Sequence, residues 1–581
     1  MPTLTYPGIY PIEVPSGLAT IVGAPTSRTA FIGRASKGTT NFATTITSFS
    51  DYERTFGGLA EFSSMSFSVR DYFLNGGSEA VIVRLYKDPA TGSTKSPVAV
   101  VTTVIAMAGG NAFPTLVTFA VEFEAANEGR WSEDIRISID NNVTATSLAS
   151  LAVTIDKAFN LKVVDPKTGL AESYSNLVLS STHANSVINV LADQSSLIRV
   201  KSNAAAVNGA SIPIEGLSDK LTICDSLTSI VKNSGSLSES ARSTQLTNIS
   251  TAKATAVGER LASDGQDLTM TQFLPANAFQ DKKGLYALED VDVFNMLCIP
   301  PYKSSSNGQN QDVDVSLVSV SATYCETKFA FLILDSPSAW TKPNGNSSTG
   351  VVENMNNTTD QIGTRSDHAA IFWPRIKQPN PFKNNIPESF SAVGAVAGVF
   401  ARTDSERGVW NAPAGLHAVL KNVPELAYNL TNGEHGLLNP LAVNCLRVKV
   451  PTGRVIFGCR TLAGDDRVVS DYKQVQVRRT ALFLEQSISR SLEWAVHRPN
   501  EEITWSQIRL SVGAFLRDQF RKGAFAGTTP KEAYFVKCDS QTTTQNDINN
   551  GIMNVEIGFK PLKAAEFVVL KFKQIIGDVQ V

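Results

Sequence analysis

FAFLIL at residues 329–334, FNMLCI at 294–299 and AAIFW at 369–373 are three runs that are apolar at all or nearly all positions. Two similar runs, AFIG at 30–33 and AVIVRL at 80–85, stand near the N-terminus. Strands with an apolar side chain at nearly every position are buried on both faces, which is typical of a sheet covered by helices on both sides. The runs therefore predict an α/β core whose strands come from two separate parts of the chain.

Segments with helical signals lie between these strands. Residues 51–56 end at Gly57, and residues 67–74 end at Asn75, which two further glycines follow. A glycine directly after the last helical residue takes the left-handed conformation that closes a helix. Both segments are predicted to be helices that pack on the sheet. With 581 residues, the chain is expected to hold roughly four domains or sub-domains.

Two amphipathic helices are predicted in the last third, at residues 479–494 and 503–522. The apolar face of the first consists of Ala481, Leu484, Ile488 and Leu492. The apolar face of the second consists of Trp505, Ile508, Val512, Phe515, Leu516 and Phe520. Opposite this second face, Arg509, Arg517 and Arg521 fall within about 120° of one another at about 100° per residue. Such a basic stripe is either solvated surface or a contact for an acidic partner.

The stretch from 90 to 275 differs from its surroundings. Segments with strand character occur at 98–105, 115–123, 135–139 and 161–164, whereas residues 200–262 are rich in Ser, Thr, Ala and Asn. We interpret it as an inserted, β-rich and outward-facing domain. Farther along, residues 341–366 are predicted to form a polar loop.

Both ends of the chain are predicted to be extended arms. Five prolines within residues 1–25 exclude a helix and favour an extended chain. At about 3.3 Å per residue this arm spans roughly 70 Å, enough either to reach another subunit or to lie on its own domain. In residues 566–573 apolar side chains alternate with positions that include two lysines, which predicts a half-buried edge strand. Extended arms suggest assembly by addition of a strand to a neighbour's sheet.

Composition excludes several classes of protein. The 52 basic and 54 acidic residues leave a net charge of −2, which argues against a polybasic nucleic-acid binder. Residues 1–24 lack the basic and apolar regions of a signal peptide, and the smooth apolar stretch 392–401 is too short to span a bilayer. The six cysteines form no CxxC pair, so we expect reduced, buried thiols in a protein made in the cytoplasm.

The chain carries no recognisable catalytic constellation. Gly33 and Gly38 have the spacing of a phosphate-binding loop, but Thr39 replaces the lysine that contacts the β- and γ-phosphates. The five histidines are scattered, and the carboxylate pair Asp465 and Asp466 is interpreted as part of a turn. We therefore expect no catalytic residue, no metal site and no cofactor.

The segments already described resemble one family, the tail sheath proteins of contractile phage tails and related contractile injection systems. The resemblance covers residues 1–88 and about 280–581, and the order of many motifs over both ends makes it specific. The N-terminal motifs are YPGIY (6–10), EVPSG (13–17), TAFIGRA (29–35), FGG (56–58) and FLNGG (73–77). Later motifs are DVFNMLCIPP (292–301), AIFWPR (370–375), AGVFARTD (397–404), RGVWNAPAG (407–415), VNCLR (443–447), RTL (460–462), GAFAG (523–527) and EAYFVKC (532–538).

These patterns and the resemblance together predict a mixed α/β fold, α+β overall, with several domains. Its predicted parts are an extended N-terminal arm (1–24), a discontinuous α/β sheath core domain (25–89 and 276–440), an inserted β-rich outer domain (90–275), a C-terminal inner domain (441–565) whose helix 503–522 faces the tube, and a C-terminal strand arm (566–581).

The resemblance also implies which residues contact other subunits. In the family the arms add strands to sheets of neighbouring subunits; here the expected arm residues are Tyr6, Ile9, Tyr10, Ile12, Val14, Phe567, Val568, Leu570 and Phe572. An inner helix of the family contacts the tube largely through charge; the expected residues are Arg509, Arg517, Arg521 and Lys522. We expect hinges at residues 15–23 and just before Glu566, because the arms stay bonded while the domains rotate.

The function implied by the resemblance is structural. Sheath subunits stack as hexameric rings around an inner tube, and the metastable extended sheath contracts to drive the tube through a target envelope. The implied partners are further copies of the chain, the tube protein, and baseplate and tail terminator proteins, with no direct nucleic-acid contact and no membrane insertion. The particle would be a phage tail, a tailocin or an extracellular injection system. The alternatives are a non-contractile terminator or baseplate ring with the same core, and a hydrolase that uses Asp404, Glu406 or Asp465.

Overall fold

The computed structural model describes residues 20–89, 100–108, 115–140, 143, 158–178, 183–201, separate positions between 228 and 250, 261–304, 310–344, 349–356 and 362–567. The predicted arm residues Tyr6, Ile9, Tyr10, Ile12, Val14, Val568, Leu570 and Phe572 lie outside these ranges.

The strands are β1 (Thr29–Gly33), β2 (Ala43–Ile46), β3 (Ala80–Arg84), β4 (Val100–Ala108), β5 (Thr115–Ala125), β6 (Arg136–Asp140), β7 (Ala158–Val164), β8 (Ala171–Val178), β9 (Ile198–Val200), β10 (Met296–Cys298), β11 (Lys303–Ser304), β12 (Asn310–Asp312), β13 (Phe331–Asp335), β14 (Ala369–Trp373), β15 (Ile376–Asn380), β16 (Ile386–Phe390), β17 (Glu425–Leu426), β18 (Val443–Lys449), β19 (Gly453–Ile456), β20 (Tyr534–Lys537) and β21 (Glu556–Phe559). The α-helices are α1 (Phe49–Phe56), α2 (Ser64–Leu74), α3 (Val187–Gln194), α4 (Met270–Phe273), α5 (Val315–Thr327), α6 (Val351–Asn356), α7 (Val393–Arg407), α8 (Asn432–Leu438), α9 (Val475–Ser491), α10 (Glu502–Arg521), α11 (Pro530–Ala533) and α12 (Gln545–Asn549).

An eight-stranded sheet forms the centre of the molecule, in the order β19-β18-β14-β13-β10-β1-β3-β2. The six inner strands run parallel, and β2 and β19 pair antiparallel at the two edges. Alternate residues of one strand enter two different cores: Phe331 and Ile333 face one, whereas Leu332 and Leu334 face the other. The apolar runs thus predicted five of its eight strands, β1, β3, β10, β13 and β14, because both faces of the sheet are covered.

Helices α2 and α7 cover one face and approach each other at two glycines of α7. A Cβ atom on Gly394 would lie 1.9 Å from the carbonyl oxygen of Ser68, and one on Gly398 would lie 2.5 Å from that of Tyr72. Neither distance is compatible with a side chain, so the two helix backbones touch only because both positions are glycine.

Gly394→Ala is expected to destabilise the chain by about 1–3 kcal/mol or more, because α7 must move away from α2 to accommodate the methyl group. Gly513→Ala is the matched control. It also lies inside a helix, but an added Cβ there has nothing within 4 Å. The control should be neutral or more stable by up to about 1 kcal/mol. Chemical denaturation followed by tryptophan fluorescence compares the two, and equal stabilities would contradict the close crossing.

The inserted region carries the strands that its sequence predicted. β4, β5 and β9 form one antiparallel sheet, and β6, β7 and β8 form another. A separate core of buried residues, among them Phe123, Ile137 and Phe159, joins the two sheets and α3. The division into domains and the outward position of this region stay predictions.

Two predictions about the second half of the chain need correction. Strands β18 and β19, which the boundary at 440/441 assigned to the C-terminal domain, belong to the central sheet. Within the stretch predicted as a polar loop, Val351 and Met355 are buried on one side of α6. Their spacing of four residues is typical of a helix. The helix has fewer than two turns and polar neighbours, however, so the sequence pattern that indicates it is weak.

The two long C-terminal helices, α9 and α10, agree with the sequence. Leu484 and Ile488 of α9 pack with Ile508, Val512 and Leu516 of α10 in one core. The partly buried side chains of β20 and β21 pack against the same core. This part of the chain therefore presents α10 and the β20–β21 pair at its surface.

Candidate assembly surfaces

Ile21 is the first buried residue of the described N-terminal segment, and it packs in the core that α9 and α10 form. The Ala24 amide donates a hydrogen bond to Ser487 Oγ at 2.9 Å, and Arg479 Nη2 donates to the Thr26 carbonyl at 2.9 Å. A Cβ on Gly23 would lie 3.3 Å from the ring of Phe483, so the backbone here is in direct contact with α9. We call residues 21–26 the N-terminal root.

The C-terminal root, residues 564–566, is held in a similar way. The Gln474 side chain accepts a hydrogen bond from the Ala564 amide at 3.0 Å and donates one to the Ala564 carbonyl at 3.1 Å. Arg460 forms an ion pair with Glu566 at 2.6 Å, and its own side chain is only 5% exposed. Beyond the root, Phe567 is 76% exposed, so this predicted arm residue is available to a partner.

Strands β20 and β21 form a two-stranded antiparallel sheet of their own. In the part of the chain that the structure describes, no third strand pairs with either outer edge. Phe535, on β20, is half exposed. An isolated two-stranded sheet is marginally stable in water, so this pair is suited to accept further strands.

The structure changes the predicted basic stripe on α10. Arg517 and Arg521 are exposed. Arg509 instead bonds to the Cys538 carbonyl and to Glu502, and it is only 30% exposed. Lys522 forms an ion pair with Asp518 at 2.7 Å. Only part of the predicted basic stripe is therefore available to a partner, because Arg509 and Lys522 bond within the chain. Contact with a tube stays a prediction for all four residues.

Two apolar residues on the same helix were missed by the sequence analysis. Ile503 is 64% exposed and Leu510 is 59% exposed. They are seven residues apart, and Arg517 follows Leu510 by another seven, so all three share one face. The heptad spacing was visible in the sequence, but the apolar residues were sought only on the core face.

A groove of mixed charge lies beside the C-terminal root, and its lining includes His435, Arg447 and Lys449 as well as Asp466 and Glu566. Arg447 Nη1 lies 3.3 Å from His435 Nδ1, and Lys449 Nζ lies 4.2 Å from the centre of the Phe457 ring. Burial, together with the charges of Arg447 and Lys449, lowers the pKa of His435 to about 4. His435 is therefore neutral at pH 7.

Acidification is expected to destabilise the chain through His435. Because its folded pKa of about 4 is below the unfolded value of about 6.5, the unfolded state binds the proton first. This contribution to stability is complete above pH 6.5 and is lost progressively as the pH falls toward about 4. Thermal unfolding at several pH values should therefore show a smaller drop in Tm for His435→Gln than for the parent. Equal drops in both proteins would contradict this assignment.

Of the three carboxylates considered for a hydrolase, Asp404 and Asp465 serve as ion-pair partners, and Glu406 is exposed. Asp404 accepts two hydrogen bonds from Arg479, at 2.8 and 2.5 Å, and both side chains are at most 3% exposed. Asp465 pairs with Arg467, and Asp466 bonds to Arg460 and Lys473. Among the described residues, no three His, Cys, Asp or Glu side chains are grouped as metal ligands.

Residues of the inserted region contact Lys37, which lies in the loop that resembles a phosphate-binding loop. Lys37 Nζ lies 3.4 Å from Asp165 Oδ2 and 4.8 Å from the centre of the Trp131 ring, and both charged side chains are buried. Arg84, fully buried, pairs with Glu128 at 3.0 Å and donates to the Ala35 carbonyl. These cations join the inserted region to the core.

Of the cysteines in the described ranges, Cys298, Cys325, Cys445 and Cys538 are buried and Cys459 is partly buried, all with free thiols. The burial of the first four agrees with the expectation of buried thiols, while Cys224 lies outside the described residues. None of the described helices has both the length and the apolar character needed to cross a bilayer.

Comparison with protein families identifies the chain. The model of the phage tail sheath protein central domain matches residues 278–462, and the model of the phage tail sheath C-terminal domain matches residues 468–575. Together they cover half of the sequence. The chain belongs to the phage tail sheath protein family. The central-domain match of this sheath family member runs past residue 440, in line with the position of β18 and β19.

The curated proteins that match this chain are also tail sheath proteins. The chain is 25% identical over 216 residues to the tail sheath protein of Enterobacteria phage T4, and 26% identical over 180 residues to that of Vibrio phage KVP40. These matches cover 37% and 31% of the chain. They span only 31% and 26% of the two relatives, so the chain matches less than a third of either length.

Solved structures share the fold over nearly the whole chain. The contracted sheath complex of PVC, an extracellular contractile injection system, has a TM-score of 0.53 and 18% identity, with 99% of each chain covered. The contracted helical sheath of the anti-feeding prophage has a TM-score of 0.52 and 19% identity, covering 98% of this chain and 99% of that one. A sheath tail protein from Listeria innocua has a TM-score of 0.54 and 10% identity, covering 94% and 97%. These likenesses confirm the mixed α/β fold.

Proposed function

We propose that this chain is the repeating structural subunit of a contractile tail sheath. The observation that carries the proposal is family membership through both the central and the C-terminal sheath domains. The shared fold with contracted sheaths of injection systems supports it. In this proposal the subunits stack as hexameric rings around an inner tube, and contraction from a metastable extended state drives the tube through a target envelope.

The two arms would connect neighbouring subunits by strand addition. The β20–β21 pair supports this step, because its outer edges offer backbone donors and acceptors to strands from two other chains. The exposed Phe567 lies where the C-terminal arm leaves its root. A subunit that receives strands from its neighbours and donates strands to others would form a continuous mesh.

Contraction would use energy stored at assembly and would need no nucleotide. Lys37, the lysine of the loop that resembles a phosphate-binding loop, is already neutralised by Asp165. Packed interfaces with two discrete arrangements are the physical requirement for such a transition. The chain would therefore act without catalysis or cofactors, as part of a phage tail or a related contractile particle that also holds baseplate and terminator proteins.

The tube would contact the exposed face of α10. This face carries Arg517 and Arg521 toward its C-terminal end and Ile503 and Leu510 toward its N-terminal end. The complementary tube surface would be acidic with an adjoining apolar strip. Single exposed ion pairs contribute only about 0–1 kcal/mol, so many repeated contacts could hold the tube and still release it.

Replacing both Arg517 and Arg521 with Glu should weaken binding to the tube protein at least tenfold and leave self-assembly unchanged. Arg509→Gln is the matched control, because Arg509 bonds within its own chain and should affect tube binding less. Co-sedimentation at ionic strengths of about 0.05 and 0.5 M measures both, since exposed charges are screened at high salt. Unchanged binding by the double variant would exclude these two residues from the contact.

Electron microscopy of the chain expressed alone in a bacterium tests the proposed function. Long hollow tubes with a helical surface pattern are expected. Single closed rings would favour the second candidate, a non-contractile ring component. One observation favours that candidate: the fold also matches a baseplate structure of the anti-feeding prophage, with a TM-score of 0.52 at 19% identity. A dispersed chain that stays dispersed after the tube protein is added would overturn both.

A further inference from the structure

We propose that α9 is a rigid connector between the two arms, and that the roots of both arms stay bound to it when the chains assemble. The inference rests on the proposed function, since it concerns how the sheath subunit passes force from one neighbour to the next. It places no moving point within residues 21–26 or 564–566.

Both roots are attached to the same helix. Gln474, which caps the N-terminus of α9, holds Ala564, while Ser487, near its C-terminal end, holds Ala24. At about 1.5 Å of rise per residue, these attachment points are about 20 Å apart along the helix axis. One straight element thus spans the distance between the places where the two arms begin.

The connector helix cannot turn independently of the core. Its buried residues lie on all sides, including Arg478, Arg479, Ala481, Leu482, Leu484 and Gln486. The buried ion pair between Arg479 and Asp404 joins it to α7, and Gln486 accepts a hydrogen bond from Asn295, directly before β10. A displacement of α9 therefore moves the central sheet with it.

The roots themselves are held by several contacts of different kinds. The N-terminal root combines the burial of Ile21 with two hydrogen bonds to α9. The C-terminal root combines the paired amide contact of Gln474 with the ion pair between Arg460 and Glu566. These contacts lie where the sequence analysis expected hinges, at residues 21–23 and just before Glu566.

Force applied to one arm by a neighbour would therefore reach the other arm through α9. If the roots were hinges, rotation of the domains would be absorbed there and the two neighbours would be uncoupled. Roots that stay bound make the subunit act as one lever between its neighbours. This property suits a transition that spreads from ring to ring.

Cysteine crosslinks at the two roots test the inference. One variant carries Ala24→Cys and Ser487→Cys, and a second carries Gln474→Cys and Ala564→Cys. Both use a background in which Cys224 and Cys459 are changed to Ser, and a removable domain fused ahead of Met1 holds the full chain monomeric. A short, cleavable bis-maleimide joins each pair in the monomer, the fused domain is removed, and tube formation is followed by electron microscopy and light scattering.

Crosslinked and uncrosslinked samples of each variant should form tubes of the same length at rates within about twofold. In addition, tubes assembled first and treated afterwards should give the same intrachain crosslink in the same yield. Failure of a crosslinked variant to assemble, with recovery after cleavage of the crosslink, would overturn the inference but leave the proposed function intact. Absence of the crosslink in either the monomer or the tube would also overturn it. If the parent forms no tubes, the proposed function fails, and the inference fails with it.

Discussion

A chain that lacks residues 1–20 is expected to fold normally and to form no long tubes. Ile21 and the contacts of the N-terminal root remain in this variant, so its Tm should change by only about 2 °C. Each subunit would, however, have no N-terminal strand to add to a neighbour's sheet, and the number of tubes longer than a few rings should fall at least tenfold. Electron microscopy and analytical ultracentrifugation measure the two effects.

The matched control for this deletion replaces residues 1–20 with a Gly/Ser segment of equal length. A flexible segment retains the reach of the arm but lacks its strand-forming side chains and prolines. If strand addition is the function of the arm, this control should fail to form tubes as completely as the deletion does. Tubes of normal length from either protein would contradict strand addition by the N-terminal arm.

Arg479→Met is expected to give the largest loss of stability from a single substitution, about 3–5 kcal/mol. The change leaves the Asp404 carboxylate buried without its partner and removes the hydrogen bond to the Thr26 carbonyl. Burial raises the pKa of Asp404, while Arg479 opposes that rise. Without Arg479 the folded pKa rises further, so the loss should grow as the pH increases and shrink below about pH 4, where the carboxyl group is protonated in both states.

A double variant, Asp404→Leu with Arg479→Met, is the control for this prediction. Replacing both members of a buried ion pair with apolar groups of similar volume is often close to neutral. The double variant should therefore recover most of the stability lost by Arg479→Met, as measured by chemical denaturation. If it is as unstable as the single variant, the unpaired carboxylate is not the cause of the loss.

The central sheet could be predicted from the sequence because its strands are buried on both faces. Runs such as residues 329–334 need no knowledge of their neighbours, since every side chain is apolar. The long helices α9 and α10 were equally clear, because their apolar residues recur at helical spacing over about three turns or more. The boundary at 440 was misplaced because β18 joins the sheet beside β14, which ends 70 residues earlier in the chain.

The side-chain contacts of the candidate surfaces could not be predicted in the same way. Gln474 meets Ala564 across 90 residues, and Arg509 meets Cys538 across 29 residues. A helical projection places Arg509 near the other basic residues but contains no information about the loop that passes beside it. The pairs Asp404–Arg479 and Lys37–Asp165 are likewise tertiary contacts without a local pattern.

The charged joint between the core and the inserted region has a consequence for protein engineering. Among the described residues, the joint pairs the core cations Arg34, Lys37 and Arg84 with the insertion carboxylates Asp267, Asp165 and Glu128. A foreign module could therefore replace much of the insertion, provided that it supplies carboxylates at those places. The joint thus defines a place at which one inserted module can be exchanged for another while the core sheet stays the same.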